Sequence, residues 1–178
     1  MDFIKTFLFQ VASQLRSRKK EEREPARRIL CEMASLLGPA YLPHIISVLK
    51  AQLQRGYQVH ILVYTTHAIL SHVLLSEHGG QKQGQIGSSS NNDEGCLDVA
   101  IEPIMDMVND ELFSNLMEEK KVAAIVKKTA EASKTVSYNM LELLSSRMSK
   151  AMLGPMLSQL LGRCQSYYYN YYISYILG

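Results

Sequence analysis

Apolar residues recur every three or four positions along most of this chain, which is the spacing of one face of an α-helix. One such stretch covers residues 3–15, and another covers residues 29–37 and stops at Gly38, which is followed by proline. A third covers residues 42–53, and Gly56 follows it as a natural C-terminal breaker. The pattern predicts a series of helices joined by short turns.

The helix predicted for residues 57–75 differs from the others because apolar side chains surround nearly its whole circumference. A helix with this distribution is buried between neighbouring helices and does not lie on a surface. Short connections and a central, enclosed helix are typical of antiparallel helix pairs that stack into a repeat array. We therefore predict an all-α fold, a fragment of a HEAT- or armadillo-like helical-repeat solenoid (an α-α superhelix).

The helical spacing resumes in the second half of the chain. Residues 97–116 predict a helix with a kink at Pro103, and residues 118–134 predict a more exposed helix with a narrow apolar stripe. A last helix pair is predicted over residues 136–148 and 151–161. The second half therefore continues the helical repeats of the first.

Two segments depart from the helical pattern. Residues 78–95 are rich in Gly, Ser, Asn and Gln and predict a flexible insertion that buries no core. Residues 164–178 contain six of the ten tyrosines, without helical or strand alternation, and are predicted to be an aberrant tail outside the fold. The predicted helical repeats thus occupy residues 1–77 and 96–163.

The composition agrees with a soluble helical protein, with 47% apolar and 20% charged residues. The formal net charge of +2 is too small to indicate nucleic-acid binding by itself, so any basic surface has to be local. The N-terminal segment lacks the order of a signal peptide, and no apolar run reaches the roughly 20 residues that span a bilayer. We therefore expect a soluble, intracellular protein that does not contact membranes.

Residue types that carry catalysis do not occur in catalytic patterns. The chain has no nucleophile elbow, phosphate-binding loop or dinucleotide motif, and its three cysteines form no CxxC pair. His60, His67 and His72 share one predicted helix at intervals of seven and five residues, whereas two metal ligands on a helix are three or four apart. We predict buried or half-buried hydrogen-bonding histidines, no enzymatic activity, and no cofactor, metal or small-molecule ligand.

A run of cations within residues 16–28 is the best candidate for contact with RNA or another acidic partner. Each phosphate that such a run neutralises adds a salt-dependent increment to affinity. Three glutamates lie among the cations, however, and a turn of mixed charge is commonly just solvated. Both interpretations stay open for the members of this basic run, which are Arg16, Arg18, Lys19, Lys20, Arg23, Arg27 and Arg28.

Residues 55–70 read RGYQVHILVYTTHAIL, and this order of residues has no reason to occur in an arbitrary helical repeat. The segment resembles the U3 small nucleolar RNA-associated protein 20 family (also called down-regulated in metastasis). Supporting similarity extends over roughly residues 16–161, in matching order. The residues that carry the resemblance in this signature segment are Arg55, Gly56, Tyr57, Gln58, His60, Tyr64 and His67.

The resemblance implies a very large HEAT-repeat component of the small-subunit processome, of which this chain is a fragment. It implies a nuclear and nucleolar location, processome proteins as partners, and U3 small nucleolar RNA and precursor rRNA as direct or indirect partners. The expected function is a scaffold in pre-rRNA processing and small-subunit biogenesis. The alternatives are a generic HEAT-repeat adaptor in transport or trafficking and a non-functional truncated product.

Overall fold

The computed structural model describes residues 3–54, 56–79, 95–113, 131 and 134–177. Within these ranges the secondary structure is helical, with no strand, and the predicted all-α class is confirmed there. Short 3₁₀ turns at Pro39–Tyr41 and Asp98–Ala100 precede two of the helices. The described α-helices are α1 (Phe3–Gln14), α2 (Lys20–Leu37), α3 (Leu42–Gln52), α4 (Gln58–Gly79), α5 (Ile101–Phe113), α6 (Lys134–Arg147) and α7 (Lys150–Leu177).

Helix α4 lies at the centre of the helices and packs against α2, α3, α5 and α6. This arrangement confirms the burial that its apolar circumference predicts. In the described part of the chain, α4 is the one unbroken helix that is long and apolar enough to span a membrane. The segment concerned is Gln58–Leu75, with a mean hydropathy of 1.2. Because 61% of that segment is buried inside the protein, packing accounts for its apolar character. Its buried apolar residues are Val59, Ile61, Leu62, Val63, Ile69, Leu70, Val73 and Leu74.

Helices α2 and α4 run parallel to each other. Arg27 of α2 bonds to Thr65 of α4, and Ser35, two turns further along α2, bonds to His72, two turns further along α4. The paired residues are 38 and 37 positions apart in the sequence. Because this separation is nearly constant, the two helices run in the same direction. Two connected helices that run parallel must be separated by a returning element, which here is α3.

The helix boundaries confirm one predicted stop and correct one predicted turn. Gly38 has φ of 77° and donates its N–H to the carbonyl of Ala34, so α2 ends where predicted. Helix α2 already begins at Lys20, however, so most of the charged stretch is helical and is not a turn. Pro25 is accommodated near the start of α2, where its missing N–H removes a single intrahelical bond, the one to Glu21.

Two other predicted boundary features are wrong. Helix α3 ends at Gln52, and Gly56, with φ of 51°, instead forms the turn into α4, where its carbonyl accepts the N–H of Val59. Pro103 does not kink a long helix, because α5 begins at Ile101 and the proline therefore lies in its first turn.

Helix α7 continues through the tyrosine-rich residues and ends at Leu177. The ring of Tyr167 lies 5.9 Å from that of Phe113 of α5, and both Tyr167 and Tyr168 are exposed. The proposal that these residues do not belong to the fold stays a prediction. Most of the predicted insertion at 78–95 and of the predicted helix at 118–134 lies outside the described residues.

Candidate functional site

The structure divides the predicted basic run into two groups. Arg23 and Arg27 are buried, with 2% and 3% of their surface exposed. They lie four residues apart on α2, so they share the face that packs onto the rest of the protein. The exposed members of the run are Arg16, Arg18, Lys19, Lys20 and Arg28.

The two buried arginines converge on Glu131, which is itself buried. Arg23 donates to both carboxylate oxygens, with Nη2 at 2.7 Å from Oε1 and 2.6 Å from Oε2, and its Nε donates to Oε1 at 3.0 Å. Arg27 donates from Nη2 to Oε1 at 3.0 Å. Bidentate arginine–carboxylate pairs of this geometry are among the strongest hydrogen-bonded pairs in proteins.

The remaining donors of these arginines are also bonded. Arg23 donates from Nη1 to the carbonyl of Ser17 at 2.9 Å. Arg27 contacts Glu24, donates from Nε to Thr65 Oγ1 at 3.3 Å, and places its Cζ 4.6 Å from the ring centroid of Tyr64. The guanidinium groups therefore join α2, α4 and the segment that precedes α6. They are not available to a phosphate in this arrangement.

The pKa of Glu131 is set by two opposing causes. Burial raises this pKa, but the hydrogen bonds from Arg23 and Arg27 lower it by more than burial raises it. The net result is a pKa below the ordinary value. The carboxyl is therefore ionised at neutral pH, as a bidentate acceptor must be.

Carboxylates also reduce the field of the exposed cations. Lys19 Nζ lies 3.2 Å from Glu22 Oε1, and the Ser17 hydroxyl donates to Glu22 Oε2 at 2.5 Å. The Ser17 hydrogen bond and then Lys19 lower the pKa of Glu22. The surface of the basic run is thus a loop and first helical turn of mixed charge, with the cations in excess.

The described residues of the signature segment contact other parts of the same chain. The Tyr57 hydroxyl donates to the carbonyl of Arg16 at 3.1 Å and so ties the start of α4 to the α1–α2 loop. Tyr64 lies under Arg27, and Gln58 lines a recess of about 290 Å³ together with Arg16. Arg55 lies outside the described residues. The side chains of Tyr57 and Tyr64 thus join neighbouring parts of the fold.

The signature histidines include a buried hydrogen-bonded cluster. His60 Nδ1 lies 2.7 Å from Glu111 Oε1 of α5, and Ser137 of α6 donates to the other Glu111 oxygen. All three residues are buried. The serine bonds to the carboxylate and not to the histidine, so the order differs from that of a nucleophilic triad.

The other two histidines of α4 are half-buried. His72 Nδ1 lies 2.9 Å from Ser35 Oγ, and burial lowers the pKa of His67. Hydrogen bonding is thus confirmed for His60 and His72. Among the described residues, no group of three or more His, Cys, Asp or Glu side chains is placed to hold a metal ion.

Comparison with known proteins decides the family. A family model described as the U3 small nucleolar RNA-associated protein 20 domain matches residues 2–172. The chain belongs to this family. U3 small nucleolar RNA-associated protein 20 of Saccharomyces cerevisiae is 31% identical over 157 residues, which are 88% of this chain and 6% of that protein. Its namesake in Schizosaccharomyces pombe is 29% identical over 131 residues, which are 74% of this chain and 5% of that protein.

The buried contacts described above all lie within the residues that match the U3 small nucleolar RNA-associated protein 20 domain family. The chain spans only about a twentieth of the length of these two relatives. The match includes the signature segment, the two arginines and Glu131. Sequence inspection gave no role to Glu131 and Ser137, and its interpretation of Glu111 as a solvated carboxylate is wrong because Glu111 is buried. The four-residue spacing of Arg23 and Arg27, in line with Leu30, already indicates one common helix face.

The cysteines of this family member should differ strongly in reactivity. Cys31 is buried, and desolvation raises the pKa of its thiol to about 11, whereas Cys164 is exposed. The thiolate is the reactive form, so at pH 8 and at chain concentrations below about 1 µM we expect iodoacetamide to modify Cys164 at least about tenfold faster than Cys31. Peptide mass spectrometry over time measures both rates, and urea-unfolded chain, in which the rates should converge, is the control. Equal rates in the folded protein would contradict the burial of Cys31.

Proposed function

We propose that this chain is a non-catalytic scaffold segment of the small-subunit processome that acts in nucleolar pre-rRNA processing and small ribosomal subunit biogenesis. The family match over residues 2–172 carries the proposal. The two relatives are named for their association with U3 small nucleolar RNA, so we place the chain in the nucleus and nucleolus. Its partners are then processome proteins, with U3 small nucleolar RNA and precursor rRNA as direct or indirect partners.

The proposed scaffold is a HEAT-like stack of helix pairs. The parallel course of α2 and α4, at a separation of 37 or 38 residues, supports this arrangement, because repeats of roughly 40 residues place equivalent helices side by side. Such a stack exposes long surfaces on which several partners can assemble. An experimental structure in which these two helices ran antiparallel would contradict the stack.

The exposed cations of the basic run are the proposed contact for RNA or for an acidic protein. The five exposed members lie on the α1–α2 loop and the outer face of α2. Buried Arg23 and Arg27 take no part, because Glu131 engages both. No aromatic side chain alternates with the five, so the contact would read phosphate charge and not base sequence.

Recovery of partners from nuclear extract tests the proposed function. The tagged chain would be incubated with extract, with and without ribonuclease, and the bound RNA sequenced and the proteins identified. We expect U3 small nucleolar RNA, precursor rRNA and processome proteins, and proteins retained after ribonuclease would identify direct protein contacts. Recovery of transport or trafficking proteins without these RNAs would instead favour the generic adaptor.

Neutralising exposed cations should weaken any direct RNA contact without unfolding the protein. For Arg18→Ala, Lys20→Ala and Arg28→Ala combined, the slope of log K against log salt concentration should fall by about 2, at about 0.7 per lost phosphate contact on single-stranded RNA. Filter binding to precursor rRNA fragments at several salt concentrations measures it. Arg163→Ala, an exposed cation on α7, is the control. An unchanged slope in the triple variant would mean that these cations contact solvent and not RNA.

A further inference from the structure

Helix α7 carries a stripe of exposed apolar side chains along its outer face. Leu153, Leu157, Leu161 and Tyr168 are 39%, 47%, 63% and 74% exposed, and Cys164 is exposed as well. At about 100° per residue, these five side chains fall within a sector of roughly 80°. Apolar residues concentrated on one face in this way mark an interaction surface, whereas singly scattered ones do not.

The side of α7 next to this stripe, about a quarter-turn round the helix, is already in use. Met156 is buried, and Met152 and Leu160 are partly buried against the core. Tyr167 contacts Phe113 of α5. The α7 stripe (Leu153, Leu157, Leu161, Cys164 and Tyr168) therefore borders the packed side of the helix and is itself exposed.

The spacing of the α7 stripe is symmetric about its middle. Leu153 and Tyr168 lie equally far from the midpoint between Leu160 and Leu161, and so do Leu157 and Cys164. A second copy of α7, laid antiparallel about a twofold axis through this midpoint, brings each of these residues opposite its counterpart. An isologous interface requires this self-complementarity.

Charge also favours an antiparallel second copy. Helix α7 contains Lys150 and Arg163 and no carboxylate. A parallel pair would place the two Lys150 side chains together without a counter-ion, which costs stability. In the antiparallel register they are about 30 Å apart along the axes, and Arg163 lies to the side of the stripe.

We propose that two copies of this chain associate through antiparallel α7 helices, with the α7 stripe as the interface. This association is independent of the proposed processome role. Leu157 of one copy packs on Cys164 of the other, and the two Leu161 side chains meet at the twofold axis. The contact covers about 16 residues of each helix and buries on the order of 1,000 Å² in total, so it belongs with weak, micromolar interfaces.

Sedimentation equilibrium of the purified full chain between about 1 and 100 µM tests the association. We expect a concentration-dependent dimer, and Leu157→Glu should weaken it at least tenfold by burying an unpaired charge at the interface. Ser158→Glu adds the same charge one residue along, outside the stripe, and should leave dimerisation unchanged. Circular dichroism checks that both variants are folded. A chain that is monomeric at 100 µM, or a dimer that is indifferent to Leu157→Glu, overturns the proposal.

Cysteine crosslinking tests the register. In Leu157→Cys the new thiol faces Cys164 of the second copy, and mild oxidation should give a covalent dimer with two disulfides. The wild-type chain should not crosslink, because the two Cys164 residues are staggered by about 10 Å along the axes, beyond disulfide reach. Leu153→Cys, which faces Tyr168, is the matched control. Crosslinking of Leu153→Cys in place of Leu157→Cys overturns the antiparallel pairing.

Discussion

Replacing Glu131 by Gln is expected to lower the free energy of unfolding by about 3–5 kcal/mol, the usual cost of removing one partner from a buried ion pair. Arg23 and Arg27 would stay buried without the carboxylate to which both donate. The amide keeps the shape of the side chain, so the loss would report charge and not a cavity. Urea unfolding followed by circular dichroism measures it.

Glu22→Gln is the matched control for this experiment. Glu22 also pairs with a cation, Lys19, but both side chains are exposed. Exposed pairs contribute little to stability because water screens their charges, so this variant should be nearly as stable as the wild type. A loss for Glu131→Gln no larger than for Glu22→Gln would mean that the two arginines find water or other acceptors when the carboxylate is gone.

Glu131→Gln should also make the free energy of unfolding depend less on pH in the acidic range. The pKa of Glu131 is lower in the folded chain than in the unfolded chain, so the unfolded state takes up a proton first as the pH falls. The stabilisation is complete above the unfolded pKa of about 4.3 and is lost as the pH falls through the folded value. Between about pH 5 and pH 3, the wild type should therefore lose more stability than Glu131→Gln.

The helices were predictable because their signals are local. The circumference of apolar residues in α4 is enough to predict its burial, and Gly38 is enough to predict the end of α2, because each depends on neighbours within a few turns. The start of α2 was missed because charged residues were assigned to a turn. Two of those charges are buried on the inner face of the helix.

The buried polar contacts were not predictable because they join distant parts of the sequence. Glu131 is 108 residues from Arg23, and Glu111 is 51 residues from His60. Periodicity indicates that a side chain faces inward but does not identify the group that it meets. The i,i+4 spacing of the arginines was the available signal, and it indicates a shared face without naming its acceptor.

The signature segment explains why family membership is easier to recognise than a binding surface. His60 and Tyr64 contact other helices of the same chain, and Tyr57 bonds to the α1–α2 loop. Residues under such constraints specify how the helices pack. The exposed cations carry no comparable constraint within the chain, so the case for RNA contact depends on measurement and not on the pattern.

The second large effect is expected at the His60–Glu111–Ser137 cluster. Replacing Glu111 by Ala should lower the free energy of unfolding by about 3–4 kcal/mol, because it leaves two buried polar groups without partners at about 1–3 kcal/mol each. One is His60 Nδ1 and the other is the Ser137 hydroxyl. Glu142→Ala removes an exposed carboxylate from α6 and should change stability by less than about 0.5 kcal/mol.

A double-mutant cycle separates the lost hydrogen bonds from the lost volume. Ser137→Ala should cost less in the Glu111→Ala background than in the wild type, because its acceptor is already gone. The expected coupling is on the order of 1–2 kcal/mol, which is typical of residues in one buried network. If the two substitutions were additive, the cost of Glu111→Ala would have to come from packing alone. A coupling of the expected size would instead mean that polar contacts hold α4, α5 and α6 together.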